Sequence, residues 1–235
     1  MTGTLSIVAT PIGNLEDITL RALRVLKEAD YVLCEDTRTT GNLLKHYGIN
    51  AKTRRYDAHA SESVHEGILS DLAAGKHIAL VSDAGTPGIS DPGVLLVQKV
   101  RSKNGCLPAD SQLRIDAIPG ASAVTAAFSI SGISGNSFVF LGFVPQKKGR
   151  QTFFKSLPEY DIPVIFYEAP HRIMKTLNSL ITLGDDMSIN RHIIVARELT
   201  KMFEEVVTGT PEEVLQYFID HPDHVRGEFV VVVSQ

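Results

Sequence analysis

Residues 77–97 read His-Ile-Ala-Leu-Val-Ser-Asp-Ala-Gly-Thr-Pro-Gly-Ile-Ser-Asp-Pro-Gly-Val-Leu-Leu-Val. The apolar run at 78–81 predicts a buried strand, and the apolar residues from Val94 onward predict the start of a helix. The glycines and prolines between them predict a stiff loop. Because open α/β sheets bind their ligands where strands end in such loops, we expect a ligand at the loop that follows Asp83.

The composition of this loop suits a small polar ligand. Prolines restrict φ and remove N–H donors, whereas glycines let the backbone approach a ligand with no Cβ in the way. Thr86, Ser90 and Asp91 would add side-chain contacts, and Asp83 would hold the loop or reach the ligand. For Asp83 and Asp91, a role only in turns or helix caps is an equally good interpretation.

The overall composition is ordinary for a globular protein, with 235 residues, 43% hydrophobic and 21% charged. The net charge of −4 provides no global basic field, so RNA binding would need a local patch.

Residues 1–11 lack the pattern of a signal peptide, and no apolar run approaches the roughly 18 residues of a membrane span, so we expect a cytoplasmic protein. Cys34 and Cys106 match neither a disulfide framework nor a zinc site, and Cys34 is expected in the core.

Strands and helices alternate in the first part of the chain, which predicts a parallel, doubly wound sheet over about residues 1–110. The polar segment 103–113 is typical of a domain boundary and predicts domains 1–112 and 113–235. In the second domain several strands follow one another without a helix, which predicts a mixed sheet. Its predicted strands are 113–118, 138–144, 164–167, 192–196, 204–207 and 229–233.

Three turns rich in proline and glycine follow predicted strands, at residues 10–14, 83–93 and 119–123. On the predicted domain boundary they come from both halves of the chain, so they would line one cleft if the halves face each other. The chain contains neither the common dinucleotide fingerprint nor the phosphate-binding loop of nucleotide hydrolases.

Seven segments carry a resemblance that spans almost the whole chain. They are Ala-Thr-Pro-Ile-Gly-Asn-Leu-Glu-Asp-Ile-Thr (9–19), Glu-Asp-Thr-Arg-Thr-Thr-Gly (35–41), Val-Ser-Asp-Ala-Gly-Thr-Pro-Gly-Ile-Ser-Asp-Pro-Gly (81–93), Pro-Gly-Ala-Ser-Ala (119–123), Phe-Tyr-Glu-Ala-Pro-His-Arg (166–172), Ala-Arg-Glu-Leu-Thr-Lys (196–201) and Gly-Glu-Phe-Val (227–230). In this order they resemble the small-subunit ribosomal RNA methyltransferase I family, part of the tetrapyrrole methylase superfamily.

The resemblance implies a two-domain α/β, class III methyltransferase fold and usually a homodimer. It implies that S-adenosylmethionine binds in the cleft between the halves, without a metal, and that the methyl group goes to the ribose 2′-oxygen of a cytidine in the decoding region of 16S rRNA. Some relatives continue into a small helical extension that helps to hold RNA.

The cofactor-binding residues implied by position are Pro11, Asp83, Gly85, Thr86, Pro87, Gly88, Ile89, Ser90, Pro119, Gly120, Ala121, Ser122 and Ala123. Ala121 stands where the family more often has proline.

Methyl transfer to a hydroxyl sets its own chemical demands. Most of the catalysis can come from holding the oxygen in line with the bond between sulfur and the methyl carbon, and a nearby base would help to remove the proton. Asp36 with Arg38 is the first choice, because both follow a strand on the side of the cofactor loop, although Asp36 could instead cap a helix. The other candidate bases are Glu35, Glu168, His171 and Glu198. For Glu168 and His171 we favour a structural pairing with Arg172 or Arg197.

RNA binding needs positive charge, and the densest basic run lies in the predicted loop at residues 146–150. Lys147, Lys148 and Arg150 are the predicted RNA contacts, although a charge run can also be only a solvated face. Arg172 and Lys201 are possible companions, and Asn14 either contacts substrate or caps the helix after it.

Three other functions fit parts of the sequence. The same cofactor could serve a tetrapyrrole or another small-molecule acceptor. A metal-dependent hydrolase could use Asp36, Asp83 and Asp91 as ligands, although two of these lie in turns with no second acid beside them. A non-catalytic assembly factor could bind RNA through Lys147, Lys148 and Arg150 alone.

Overall fold

The strands form two five-stranded sheets in the computed structural model, which describes residues 3–91, 93–105, 112–187 and 192–234. The chain divides into two units, Met1–Ser122 and Ala123–Gln235, and each unit contains one of the sheets. Within the described ranges no helix is both long enough and apolar enough to cross a membrane.

The sheet of the first unit is entirely parallel, with the order β3-β2-β4-β1-β5. Its elements in chain order are β1 (Thr4–Val8), α1 (Leu20–Glu28), β2 (Tyr31–Cys34), α2 (Thr37–His46), β3 (Thr53–Arg55), α3 (Glu62–Ala73), β4 (His77–Leu80), α4 (Val94–Asn104) and β5 (Arg114–Ile118). The predicted parallel sheet is confirmed. Because parallel strands run in one direction, the segments that follow β1, β2, β4 and β5 all emerge at the same edge.

Two apolar layers cover this sheet, as its buried strands require. On one face Leu5 and Leu80 pack with residues of α3 and α4 such as Leu72 and Leu96. On the other face the strands pack against α1 and α2, and Cys34 is fully buried in that layer, as predicted. The sheet is therefore doubly wound.

The sheet of the second unit is mixed, as predicted, with the order β6-β7-β10-β8-β9. Only β6 and β7 pair in parallel, and the other three pairs are antiparallel. The elements are α5 (Ala123–Ser129), β6 (Val139–Phe143), α6 (Arg150–Ser156), β7 (Val164–Glu168), α7 (Ile173–Met187), β8 (Ile193–Arg197), β9 (Glu205–Gly209), α8 (Pro211–Asp220) and β10 (Phe229–Val233). The central strand β10 is buried at every position, which explains its unbroken apolar sequence.

One boundary differs from the sequence prediction. The strand expected to open the second domain is β5, and it pairs with β1 along its whole length, from Thr4 with Arg114 to Val8 with Ile118. The division therefore falls after Ser122 and not at residue 112. The polar segment before β5 connects α4 to a strand of the same sheet, and such a connection has the same composition as a linker between domains. Residues 106–111 of that segment, including Cys106, lie outside the described ranges.

Candidate active site

The three turns predicted from sequence meet at the edge of the first sheet, after the neighbouring strands β4, β1 and β5. Thr10 and Gly85 form a reciprocal backbone bridge, with N to O distances of 2.9 and 3.1 Å. The Thr86 hydroxyl donates to the backbone oxygen of Ala121 at 3.2 Å. All of these residues belong to the first unit, so the turns do not come from both halves of the chain as the sequence analysis expected.

Two glycines allow these turns to approach each other closely. Gly85 has φ of +79°, and a Cβ there would lie 3.4 Å from Cγ2 of Ile12. A Cβ on Gly120 would lie only 2.9 Å from the Cβ of Ala9, at the end of β1. Any larger residue at either position would push the turns apart or strain the backbone.

The predicted cofactor residues differ in what they present to solvent. Pro11, Gly85 and Pro87 are buried and support the turns from within. The exposed members are Asp83, Ile89, Ser90, Pro119 and Gly120. Ser90 has φ of +67°, a left-handed conformation that is uncommon outside glycine and is found often at ligand-binding sites. Among the remaining members, Thr86, Gly88, Ala121 and Ser122 are half-buried, and Ala123 begins α5.

This surface suits the chemistry of S-adenosylmethionine. The absence of a Cβ at the exposed Gly120 leaves backbone polar groups near the surface, Asp83 offers a carboxylate to hydroxyl or ammonium groups, and Ile89 offers an apolar side chain. A ligand with an adenine ring, a ribose and an amino acid moiety needs these three kinds of contact.

The end of β2 lies beside the loop between β4 and α4, whose residues 83–90 include the predicted cofactor contacts and which is called the cofactor loop below. The backbone N–H of Val81 donates to the oxygen of Leu33 at 2.9 Å, which aligns the end of β2 with the end of β4. Beyond these strand ends, the N–H of Asp36 donates to Oδ1 of Asp83 at 3.2 Å. The acidic segment after β2 and the start of the cofactor loop are therefore joined directly.

Asp36 caps α2 and forms an ion pair with Arg38. Its Oδ1 accepts the N–H of Arg38 at 2.8 Å, and its Oδ2 lies 2.8 Å from an Nη of the same residue. The hydrogen bonds from Arg38 lower the pKa of Asp36 to about 2. The capping role that the sequence left open is thus present, and the carboxylate is held in its ionised form next to an exposed guanidinium.

Glu35 has the opposite environment. Partial burial raises its pKa to about 7, and the charges of Asp91, Asp83 and Asp57 act in the same direction. Burial and Asp83 also raise the pKa of Asp91 to about 6. The sequence named Glu35 as one candidate base among several, but its clustering with acids from the β4–α4 loop arises only in the folded chain.

Arg150 and Arg172 do not lie where the sequence analysis expected. Arg150 is only 6% exposed, and its guanidinium donates to Oε2 of Glu168 at 3.2 Å and to the hydroxyl of Thr176 at 2.7 Å. Arg172 pairs with Oε1 of Glu168 at 2.8 Å and donates to the oxygen of Val144 at 2.9 Å. The prediction that Arg150 contacts RNA is therefore wrong, because Arg150 is buried and its charge is paired with Glu168 inside the second unit. Glu168 pairs with Arg172, as predicted.

The other predicted substrate residues divide into two groups. Lys147 and Lys148 are exposed just before α6, so they are accessible to RNA. Lys201 is held between Glu198 and Glu228, with Nζ to oxygen distances of 2.7 and 3.2 Å. The Oδ1 of Asn14 accepts the N–H of Glu16 at 3.0 Å, so the capping role of this residue is present.

A cavity of about 500 Å³ lies in the second unit, and sequence reasoning missed it. It contains none of the predicted cofactor or RNA residues. Its lining residues are Arg197, Glu198, Met202, Phe203, Glu204, Glu205, Asp223, His224, Arg226 and Gly227.

The metal-dependent hydrolase has little support from the side-chain geometry. Across the part of the chain that the structure describes, no three His, Cys, Asp or Glu side chains are arranged to hold a metal ion. Asp36, Asp83 and Asp91 are near one another in the fold, but they do not form a ligand set.

Known proteins resemble this chain in both fold and sequence. The family model described as Tetrapyrrole (Corrin/Porphyrin) Methylases matches residues 4–215. Among solved structures of 18% sequence identity, the methyltransferase CobJ gives a TM-score of 0.68 over 100% of this chain and 95% of that chain. The cobalt precorrin-4 methyltransferase CbiF gives 0.67 over 97% and 94%. At this identity the two structures show the fold.

Two curated relatives share far more sequence, and both are called ribosomal RNA small subunit methyltransferase I. The protein of Halalkalibacterium halodurans is 44% identical over 99% of this chain and 76% of its own length. The protein of Thermotoga maritima is 40% identical over 99% of this chain and 98% of its own length. The chain therefore belongs to the tetrapyrrole methylase family and, within it, to the ribosomal RNA small subunit methyltransferase I group. The predicted enzyme class, a methyltransferase, is confirmed.

Proposed function

We propose that the chain transfers a methyl group from S-adenosylmethionine to the ribose 2′-oxygen of a cytidine in the decoding region of 16S rRNA. The main support is the identity of 40 to 44% over almost the whole chain to proteins that carry the name of a small-subunit ribosomal RNA methyltransferase. The joined turns of the first unit add a surface of suitable chemistry at the sequence positions where the family binds its cofactor.

The cofactor is held by the turns after β1, β4 and β5. Asp83 binds polar hydrogens of the ligand, Ile89 covers an apolar part, and backbone groups of Thr86 and Ala121 orient it. When bound, S-adenosylmethionine supplies a methyl group on a positively charged sulfur. The protein contributes by fixing the position of the acceptor oxygen, since alignment alone can account for a large part of such a rate enhancement.

RNA contacts arise from Lys147 and Lys148, which are exposed next to each other before α6. The net charge of −4 makes strong binding to naked RNA unfavourable, so the substrate is the RNA within the folded small ribosomal subunit. The family resemblance further supports a homodimer that works in the cytoplasm.

The test uses purified protein, small ribosomal subunits from a strain that lacks this modification, and isotopically labelled S-adenosylmethionine. We expect one label per subunit, located by mass mapping on a cytidine ribose in the decoding region. A porphyrinogen acceptor and naked 16S rRNA serve as comparisons. Transfer to the porphyrinogen with none to the ribosomal subunit would contradict the proposal. Calorimetry that shows binding of the ribosomal subunit but none of S-adenosylmethionine would also contradict it and would favour the non-catalytic assembly factor.

A further inference from the structure

We propose that Glu35 is the catalytic residue that accepts the proton of the acceptor hydroxyl, an assignment that rests on the proposed methyl transfer. Three properties of Glu35 within the first unit suit it to this role: its position, the charges around it and its access to solvent.

The position of Glu35 is fixed by the sheet. Leu33 lies opposite Leu80 in the parallel pairing of β2 with β4, so residue 35 emerges at the edge where the cofactor loop begins. The hydrogen bond from the N–H of Asp36 to Asp83 then fixes the next residue against that loop. Glu35 itself is half-buried, so a substrate at this edge can reach its carboxylate.

The groups around Glu35 are other acids. Asp83 and Asp91 belong to the cofactor loop, and Asp57 follows β3. Among the residues that the structure describes, no cation and no hydrogen-bond donor pairs with the Glu35 carboxylate. Two arginines of the adjoining segments are engaged with other acids: Arg38 pairs with Asp36 at 2.8 Å, and Arg55 pairs with Asp57 at 2.9 Å. An unpaired carboxylate among like charges gains from taking up a proton.

The protonation equilibrium agrees with this geometry. A general base works best when its pKa lies near the working pH, and Glu35 has a pKa of about 7. Asp36, the first choice from sequence, has a pKa of about 2 and is therefore a much weaker base. Both carboxylate oxygens of Glu168 pair with arginines, Oε2 with Arg150 and Oε1 with Arg172, and Glu198 pairs with Lys201.

In the proposed step two bonds form and two bonds break. The carboxylate of Glu35 takes the proton of the 2′-hydroxyl, and the ribose oxygen uses the freed electron pair to form a bond to the methyl carbon. The bond between that carbon and sulfur breaks, and its electron pair stays on sulfur, which loses its positive charge. Glu35 later releases the proton to solvent and regains its ionised form.

The decisive variant is Glu35→Gln, which keeps the size of the side chain and removes the base. We expect single-turnover methylation of small ribosomal subunits to fall by roughly 100-fold to 1,000-fold, since general bases typically contribute about 10² to 10⁴. Binding of S-adenosylmethionine by calorimetry should stay within about twofold of wild type. Asp36→Asn, which can still cap α2, should lose less than about tenfold. Glu28→Gln, on the exposed surface of α1, is the control for a lost surface carboxylate.

A second measurement needs neither cofactor nor RNA. Carbon-13 NMR of the free protein should show a Glu35 carboxyl that titrates near pH 7 and moves toward its ordinary value in Asp91→Asn, because one repelling charge is lost. The rate of methylation should rise with pH to a plateau, with a midpoint that moves the same way in Asp91→Asn.

The failures are distinguishable. Wild-type protein that methylates no ribosomal RNA would overturn the proposed function and with it this assignment. If the wild-type protein is active and the Glu35→Gln variant methylates at the same rate, only the assignment of Glu35 is overturned. Loss of cofactor binding together with activity would give Glu35 a binding role and would also overturn it.

Discussion

The hydroxyl of Thr86 donates a hydrogen bond to the backbone oxygen of Ala121 across 3.2 Å. Thr86 lies in the loop after β4, and Ala121 lies in the turn after β5, so this bond spans β1, which runs between those strands in the sheet. Thr10, at the end of β1, binds the same loop through its bridge to Gly85. The three turns are thus tied together before any ligand binds, which limits the entropy lost on binding.

Replacing Thr86 with valine tests this tie. Valine keeps the shape of threonine and removes the donor, so the oxygen of Ala121 loses its partner at a half-buried position. We expect the dissociation constant for S-adenosylmethionine to rise about fivefold to tenfold, which corresponds to about 1 kcal/mol, as measured by calorimetry. Thr86→Ser keeps the hydroxyl and should bind nearly as wild type. Equal affinities of the valine and serine variants for S-adenosylmethionine would show that the hydrogen bond from Thr86 to Ala121 does not contribute to cofactor binding.

Gly120→Ala tests the close approach of the third turn to β1. The added methyl group would lie 2.9 Å from the Cβ of Ala9, so the turn must shift or strain. We expect a loss of about 1 to 3 kcal/mol in the free energy of unfolding, typical of overpacking, together with weaker cofactor binding. Urea unfolding and calorimetry measure the two effects.

Gly41→Ala is the matched control for that substitution. Gly41 lies within α2, and apart from its chain neighbours and the backbone of its own helix a Cβ there would have no atom within 4 Å. Because alanine forms helices better than glycine, the control should be stabilised by up to about 1 kcal/mol. A Gly120→Ala protein as stable as this control would mean that the turn has room to move.

The buried Glu168 should be essential for stability. Its removal leaves Arg150 and Arg172 in the protein interior without their counter-charge, and each also has a buried Nε without a hydrogen-bond partner. We expect Glu168→Gln to lose about 3 to 5 kcal/mol of unfolding free energy in urea, as for other broken buried ion pairs. Glu28→Gln breaks the exposed pair with Arg24 and should change stability by less than about 0.5 kcal/mol. Similar losses in the two variants would rule out a structural role for the buried cluster.

The sheets were predictable because buried strands leave a strong pattern in the sequence. The strands β2, β4 and β10 are nearly continuous apolar runs, and the turns after β1 and β4 are marked by proline and glycine. The edge strand β3 was missed because Thr53–Arg55 is short, polar and partly exposed. The domain boundary was misplaced because local composition marks a connection but does not reveal which sheet the next strand joins.

The site was predictable only in part, for a related reason. Turn composition identified the loop, whereas the protonation state of Glu35 depends on its partial burial and on Asp91 and Asp83, which lie far away along the chain. Arg150 resembles a member of a surface basic run, and its burial depends on Glu168 in the next strand. Properties that arise from pairs distant in sequence are not visible in local patterns.

Lys147 and Lys148 provide a test of RNA contact that leaves the fold intact. Both are exposed, so the double variant Lys147→Gln with Lys148→Gln should keep the wild-type unfolding free energy within about 0.5 kcal/mol. If both contact phosphates, the plot of log affinity for the small ribosomal subunit against log salt should lose about 1.4 to 1.8 units of slope. Lys27→Gln with Lys45→Gln, on α1 and α2, removes the same charge elsewhere and serves as the control. An unchanged slope in the first double variant would place the RNA on another surface.

The pH dependence of stability offers a test of Glu35 that is independent of activity. Its pKa in the folded protein, about 7, lies above that of an unfolded glutamate, so the ionised form is disfavoured by folding. The resulting penalty is absent below the unfolded pKa, grows as the pH rises through the range from about 4.5 to 7, and is complete above it. Glu35→Gln removes the charge, so the variant should gain stability over wild type only as the pH rises.

We expect this gain to reach about 1 kcal/mol at pH 8, after allowing for solvent screening of a partly exposed carboxylate, and to vanish near pH 4. Urea unfolding of both proteins at pH 4, 6 and 8 measures it. Glu28→Gln, whose carboxylate is exposed, should show no such trend. If Glu35→Gln is less stable than wild type at pH 8 but equally stable at pH 4, the ionised carboxylate has a stabilising partner. The assignment of Glu35 as an unpaired acid would then fail.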